Sequence, residues 1–260
     1  MAKNVLFWVG IKSENEHLRE KHGNFKYLDI SRKTWEYWCN KNDVVFFPYE
    51  ESSEKDTNAH KATWTRWFDV FDQIEAAGID YDKIAVIDGS TLVRWDTPNF
   101  FKLAKGQVEN LNWITQSIDG YNEFFDKYEF DLKKYISCGF QIFDVKHKKF
   151  LKEVKEFYYD NYESIMDHQN NKVGKGTDQP VYNYLLQIKG VEVNMELPPS
   201  YMITHLYRFD WFTHNWQLKK DNTPFFLKYT YIWFFSGFPN RGDRYKLMDQ
   251  IWEATKHNYV

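Results

Sequence analysis

The first hundred residues alternate short apolar runs with amphipathic stretches. Asn4 to Val9 (NVLFWV), closed by Gly10, and Val44 to Tyr49 (VVFFPY) are too short for a membrane helix and read as buried strands. Thr34 to Asn40 reads as helical, and the polar stretch 50–58 as a loop. Trp64, Trp67, Phe68, Phe71 and Ile74 recur at helical spacing and predict an amphipathic helix, with Gly78 as its stop. A third aliphatic run, Lys83-Ile-Ala-Val-Ile, then ends at Asp88. This β-α-β-α-β order argues for an α/β fold with a parallel sheet covered by helices.

The remainder is less regular. Asn112–Ser117 and Ile136–Val145 read as strands, the second with Phe140 and Ile142 on one face. Phe150, Leu151, Val154, Phe157 and Tyr158 mark a helix, and 168–177 a polar, glycine-bearing loop. Val181, Tyr184, Leu185 and Ile188 mark a short helix ending at Gly190, and Val191–Met195 a strand. Past Pro198 the chain reads as loop-rich and aromatic, apart from a strand over Tyr229–Phe235. No linker is legible. The expectation is one domain over 1–260, a nucleotide-binding part to about residue 100 and an acceptor and closing part after it.

Composition narrows the function classes. A net charge of −3 over 260 residues gives no general electrostatic grip on nucleic acid, although a local basic groove would not show in that total. Aromatics at 20% suit a core and also a cleft that stacks rings. No apolar stretch approaches the roughly 20 residues of a membrane helix. Met1-Ala-Lys-Asn runs straight into the first strand with no secretory pattern, and Cys39 and Cys138 lack CxxC partners. A reduced, cytoplasmic protein is the simplest expectation, with a single disulfide as the alternative. The oligomeric state is not readable.

Asp88 is the strongest chemical candidate, because open α/β sheets place ligands at the carboxyl ends of their strands. Its carboxylate suits a divalent cation held against a diphosphate; it equally suits a plain turn. Gly89 lets another group approach closely. Gly174-Lys-Gly-Thr177 lacks P-loop spacing, the eight histidines form no HExxH pair, and GxSxG is absent. Cys138 reads as a buried strand cysteine before a nucleophile. Asp178 and Gln179 precede Pro180 at a helix start. Capping and the helix dipole account for Asp178; Gln179 is left to face a cleft. Arg241 and Arg244 follow a Ser236-Gly237 turn and suit phosphate oxygens.

In this order, Asn4–Lys12, Asp88-Gly89-Ser90, Ser137-Cys138-Gly139-Phe140, Asp178-Gln179 and Phe234-Phe235-Ser236-Gly237 resemble the GT-A glycosyltransferases of family 8, the glycogenin-like and lipopolysaccharide galactosyltransferase-like group. The resemblance implies a UDP-sugar donor, a mixed and mostly parallel sheet, retention at the anomeric carbon and Mn²⁺ or Mg²⁺ at a DxD motif. Val9, Gly10 and Lys12 would line the uridine and phosphate side. Gly89, Ser137, Gly139, Ser236, Gly237, Arg241 and Arg244 would contact the nucleotide-sugar. Asp178 would bind sugar hydroxyls, and Gln179 would lie opposite the leaving group.

Three positions depart from the family pattern. Ser90 replaces the second Asp of DxD, Phe234 the histidine of H-F-x-G, and Ser137 the asparagine of N-x-G. A weakened, donor-dependent metal site at Asp88 and Ser90 is the expectation, with His214 a possible substitute imidazole; Arg241, Arg244 or Lys12 could instead neutralise the diphosphate. Trp211, Phe212, Trp216 and Trp233 could form an acceptor platform or simply be core. A degenerate sugar-nucleotide-binding protein, a nucleotidyltransferase and a DNA-modifying glycosyltransferase are the rival readings. A nucleotidyltransferase needs a glycine-rich basic loop after the first strand, and Gly10-Ile-Lys12 does not supply it.

Overall fold

The computed structural model describes residues 2–13, 16–21, 23–52, 62–105, 108–109, 124–172, 178–194, 197–198, 201–203, 230–235 and 241–260. Elements in order are β1 (Lys3–Val9), α1 (Glu16–Lys21), α2 (Lys26–Asn42), β2 (Val45–Tyr49), α3 (Ala62–Ala76), β3 (Tyr81–Asp88), β4 (Thr91–Val93), β5 (Val108–Glu109) and β6 (Phe140–Asp144). There follow α4 (Lys148–Asp160), α5 (Tyr162–Asp167), α6 (Gln179–Ile188), β7 (Val193–Asn194), β8 (Met202–Ile203), β9 (Ile232–Phe234) and α7 (Arg241–Thr255).

The main sheet has the order β2-β1-β3-β6-β5-β7. Strands β1, β2 and β3 are parallel, as the alternating order requires; β6 enters antiparallel to β3, and β5 pairs parallel with β7. A second sheet, β4-β9-β8, lies beside it.

Period-2 alternation divides the sheet's side chains between two cores. Leu6, Trp8, Ala85, Ile87, Phe140 and Ile142 face α2, the small sheet and α7. Val5, Phe7, Val9, Ile84, Val86 and Phe143 face α3, α4 and α6. Phe140 and Ile142 thus share a face, as expected. Both sides are rich in aromatic rings: Trp8, Trp35, Trp38, Trp64 and Trp67 are fully buried. Cys39 and Cys138 are free and lie in opposite cores. Trp233 is core, its indole N–H donating to the Thr230 carbonyl at 2.9 Å; Trp211, Phe212 and Trp216 lie outside the described residues.

Several boundaries differ from the sequence reading. Helix α2 starts eight residues before Thr34, because Tyr27, Leu28 and Ile30 extend its buried face. Residues 168–172 form a π-type turn where a loop was expected. In α6 the buried face is Val181, Tyr182, Leu185 and Leu186, while Ile188 is exposed. Gly78 and Gly190 end α3 and α6 in the left-handed region, as expected. The larger correction is α7. Arg244, Met248 and Ile251 are buried at helical spacing where loop was anticipated. The expected strand Asn112–Ser117 and the loop Gly174–Thr177 fall outside the described residues.

Candidate active site

The site is built where the strands of the main sheet end. Val9 pairs with both Tyr49 and Asp88. The Gly10 N–H donates to the Tyr49 carbonyl, and the Gly89 N–H to the Val9 carbonyl, each at 2.9 Å. On the other side the Asp88 N–H donates to Gly139 O at 3.2 Å. Val9, Gly10, Asp88, Gly89 and Gly139 therefore form one continuous backbone floor. Gly89 is needed for close packing: a Cβ there would lie 2.5 Å from Val9 O and 2.6 Å from Leu28 Cδ2. Gly139 is needed for the same reason, since its Cβ would meet the Phe234 ring at 2.8 Å.

Asp88 does two jobs. Its Oδ1 accepts from the Ser90 N–H at 2.7 Å and the Ser90 hydroxyl at 2.6 Å, which closes the turn. Thr91 fastens the turn further: its hydroxyl donates to Asp88 O at 2.6 Å and accepts from the Trp35 indole at 3.0 Å. The other oxygen, Oδ2, faces Arg66 Nη1 at 3.5 Å.

Arg66 escaped the sequence reading and is the hub of the site. It projects from α3, is 4% exposed, and lies with its guanidinium 4.7 Å from the Trp67 ring centroid. Its Nη2 donates to Asp178 Oδ2 at 2.9 Å. Burial alone would pull its pKa down; the carboxylates of Asp178 and Asp88 more than offset that and raise it, so the guanidinium is fixed as a cation. The Trp67 indole donates to the same Asp178 oxygen at 2.5 Å. Asp178 is 2% exposed and makes no side-chain cap to α6. The capping account of Asp178 is thus replaced by an ion pair across to α3. A charged residue inside the apolar Trp64–Ile74 pattern was the available signal for Arg66.

Gln179 opens α6 and is 8% exposed. Its Oε1 accepts from the Cys138 N–H at 3.2 Å, an assignment fixed because the backbone partner is a donor. The Nε2 donors are left to the site. Asn183, one turn on, bonds both backbone groups of Ile136 and the Gln179 carbonyl, at 2.7–2.9 Å, and so ties α6 to the strand approach. Ser137 is fully buried, its Oγ accepting from the Gly139 N–H at 3.1 Å. Cys138 lies against this cluster; burial and then Asp178 push its thiol pKa well up, which argues against a nucleophile.

Other expected residues lie elsewhere or outside the described set. Lys12 is half-exposed and pairs with Asp29 at 3.3 Å. Arg244 is buried on α7 with its guanidinium 5.0 Å from the Tyr27 ring, and among the described residues it makes no ion pair. Arg241 is placed on α7 as backbone. Ser236, Gly237 and His214 lie outside the described residues.

As a metal site the arrangement is incomplete. Among the described residues no three His, Cys, Asp or Glu side chains converge. Asp88 has one oxygen spent on Ser90 and the other beside Arg66. These side chains do not by themselves make a divalent-cation site, which needs several oxygen ligands. Two carboxylates around one guanidinium leave negative charge uncompensated. On charge alone this cluster favours hydroxyl donors and cations over a bare diphosphate.

No protein-family model matches the chain, and no curated protein matches it in sequence. Among solved structures, one similar fold is that of a glycosyltransferase involved in the glycosylation of the major capsid of PBCV-1. It has 12% identity and a TM-score of 0.53, over 96% of this chain and 100% of that one. The galactosyltransferase LgtC, bound to donor and acceptor sugar analogues, is more distant, with 12% identity and a TM-score of 0.40 over 97% of this chain and 99% of that one. Mouse xyloside xylosyltransferase 1 has 9% identity and a TM-score of 0.45, over 91% of this chain and 98% of that one. The mixed, mostly parallel sheet flanked by helices is the GT-A glycosyltransferase fold.

Proposed function

We propose that this chain transfers a hexose from a UDP-sugar, UDP-glucose or UDP-galactose, to the hydroxyl of a glycan or small-molecule acceptor, with retention at the anomeric carbon. The observation that carries the reading is the Asp88–Arg66–Asp178 ladder beside Gln179, set at the carboxyl end of β3 in a GT-A fold. The diphosphate end of the donor lies over Asp88, Gly89 and Ser90, and the sugar end by Asp178 and Gln179. Val9 and Gly10 border the uridine.

Breaking the sugar–phosphate bond builds positive charge on the anomeric carbon and negative charge on the departing diphosphate. The residues act by positioning and electrostatics. Asp178, held by Arg66 and Trp67, accepts from sugar hydroxyls. Gln179 offers its amide N–H groups beside the reacting carbon. A neutral amide with its oxygen already bonded is a poor nucleophile, so no covalent glycosyl intermediate is drawn. Asp88 and Ser90 would hold Mn²⁺ or Mg²⁺ only together with the diphosphate oxygens, and the ion would supply countercharge to the leaving group.

The deciding experiment is a thermal-shift titration with UDP, with and without Mn²⁺, followed by a UDP-release assay with UDP-glucose and UDP-galactose. UDP at about 100 times its Kd should add about 2.7 kcal/mol, a shift of a few degrees. Binding without release of UDP from any donor would overturn the transferase reading. No binding under either condition would overturn the UDP-sugar site.

A further inference from the structure

A cavity of about 440 Å³ is lined from α4, α5 and α6 and includes none of Asp88, Arg66, Asp178 or Gln179 in its lining. That volume is in the range of small-ligand sites. Four rings line it: Phe124, Phe125, Phe157 and Tyr184. Phe125 stacks on Tyr184 at 4.3 Å and 16°, which fixes one wall. The remaining lining is polar. Asn161 spends its Nδ2 on the Phe157 carbonyl at 2.9 Å, a bond that does not use its amide oxygen. The buried His168 sits 5.1 Å from Phe124, and Ser164 stands exposed at the rim. Asp126 completes the lining from a turn in which both it and Lys127 hold positive φ, a backbone state that non-glycine residues keep where surroundings over-determine it.

The chemistry of this lining selects a ligand class. Among the described residues that line it, Asp126 is the one acidic group and no lysine or arginine joins it, so this lining repels phosphate and carboxylate ligands. A purely apolar ligand would leave the Asn161 amide oxygen without a partner and make no use of the rim groups Ser164 and Asp126. Ring faces beside hydrogen-bonding groups suit a neutral, polyhydroxylated ligand with an apolar C–H face. We propose that this cavity is a second, donor-independent site for a neutral saccharide. Tyr184 in its wall is five residues along α6 from Gln179, about 8 Å along the helix axis. Occupancy here therefore bears on the helix that presents Gln179.

The test is saturation-transfer NMR on the full chain with glucose, galactose, lactose and maltotriose, repeated with saturating UDP and in Ser164→Trp and Ser164→Ala. The indole fills the cavity from an exposed position, so the variant should melt as the wild type does. The proposal expects transfer to at least one sugar, unchanged by UDP, kept in Ser164→Ala and lost in Ser164→Trp. Transfer to none of the four overturns it, as does transfer that survives Ser164→Trp. Signal displaced by UDP places the sugar in the donor site and also overturns it. The Ser164 pair decides the matter even if UDP does not bind, so failure of the donor reading is read separately.

Discussion

Arg66→Ala should destabilise the fold by about 3–5 kcal/mol, because it strands the Asp178 carboxylate in a site that is 2% exposed. Arg66→Lys should recover only part of that. An ammonium is a point charge and cannot present a planar fork to Asp88 and Asp178 together. Urea unfolding measures both, and a loss below about 1 kcal/mol for the alanine variant would refute the burial argument. Gln179→Ala tests chemistry instead. It should lower kcat about a hundredfold while leaving UDP affinity near the wild-type value; equal kcat would remove Gln179 from the mechanism. Asp88, Asp178 and Gln179 were legible because each sits at the end of a readable element. Arg66 was not: hydrophobic periodicity registers apolar positions, and the one local mark, a charge inside the Trp64–Ile74 pattern, does not name its partners, Asp88 22 residues and Asp178 112 residues further along the chain.

At the scale of elements, the junction of β6 and α4 carries a pH response. His147 Nδ1 accepts from the Asp144 N–H at 3.2 Å in a reciprocal cap. Burial lowers the His147 pKa below its ordinary 6.5, although Asp144 opposes the shift. Because the folded state favours the neutral ring, this stability is complete above pH 6.5 and is lost as pH falls through the lowered folded value. Urea midpoints should decline from pH 7.5 toward pH 5.5, and less steeply in His147→Asn; parallel curves would refute the assignment. Gly139→Ala should cost about 1–3 kcal/mol by pressing on the Phe234 ring. Phe234→Leu should relieve that cost in the double variant. The parallel β1, β2 and β3 were read correctly because each is a short apolar run between helical patterns. Helix α7 was missed although Arg244, Tyr245, Leu247, Met248, Ile251 and Trp252 follow helical spacing. The aromatic density before it masked the change of period.

For the whole molecule, metal should matter through the donor. Mn²⁺ alone should leave the melting temperature unchanged, and Mn²⁺ with UDP should raise it above UDP alone; a shift with Mn²⁺ alone would mean that the protein supplies a fuller ligand set than Asp88 and Ser90. The small sheet has a different consequence. Thr91, next to the Asp88 turn, pairs with Phe234, about 140 residues further along the chain, and Phe235 N–H closes on Ser90 O at 2.8 Å. Contacts of such long sequence separation form late, after the entropy of closing the intervening chain has been met. During synthesis, then, the Rossmann-like β1–β3 core emerges and can pack long before the Asp88 turn acquires its final brace. A ribosome-bound chain stopped before β9 should already protect its central strands from exchange while its Asp88 turn still lacks the brace from β9.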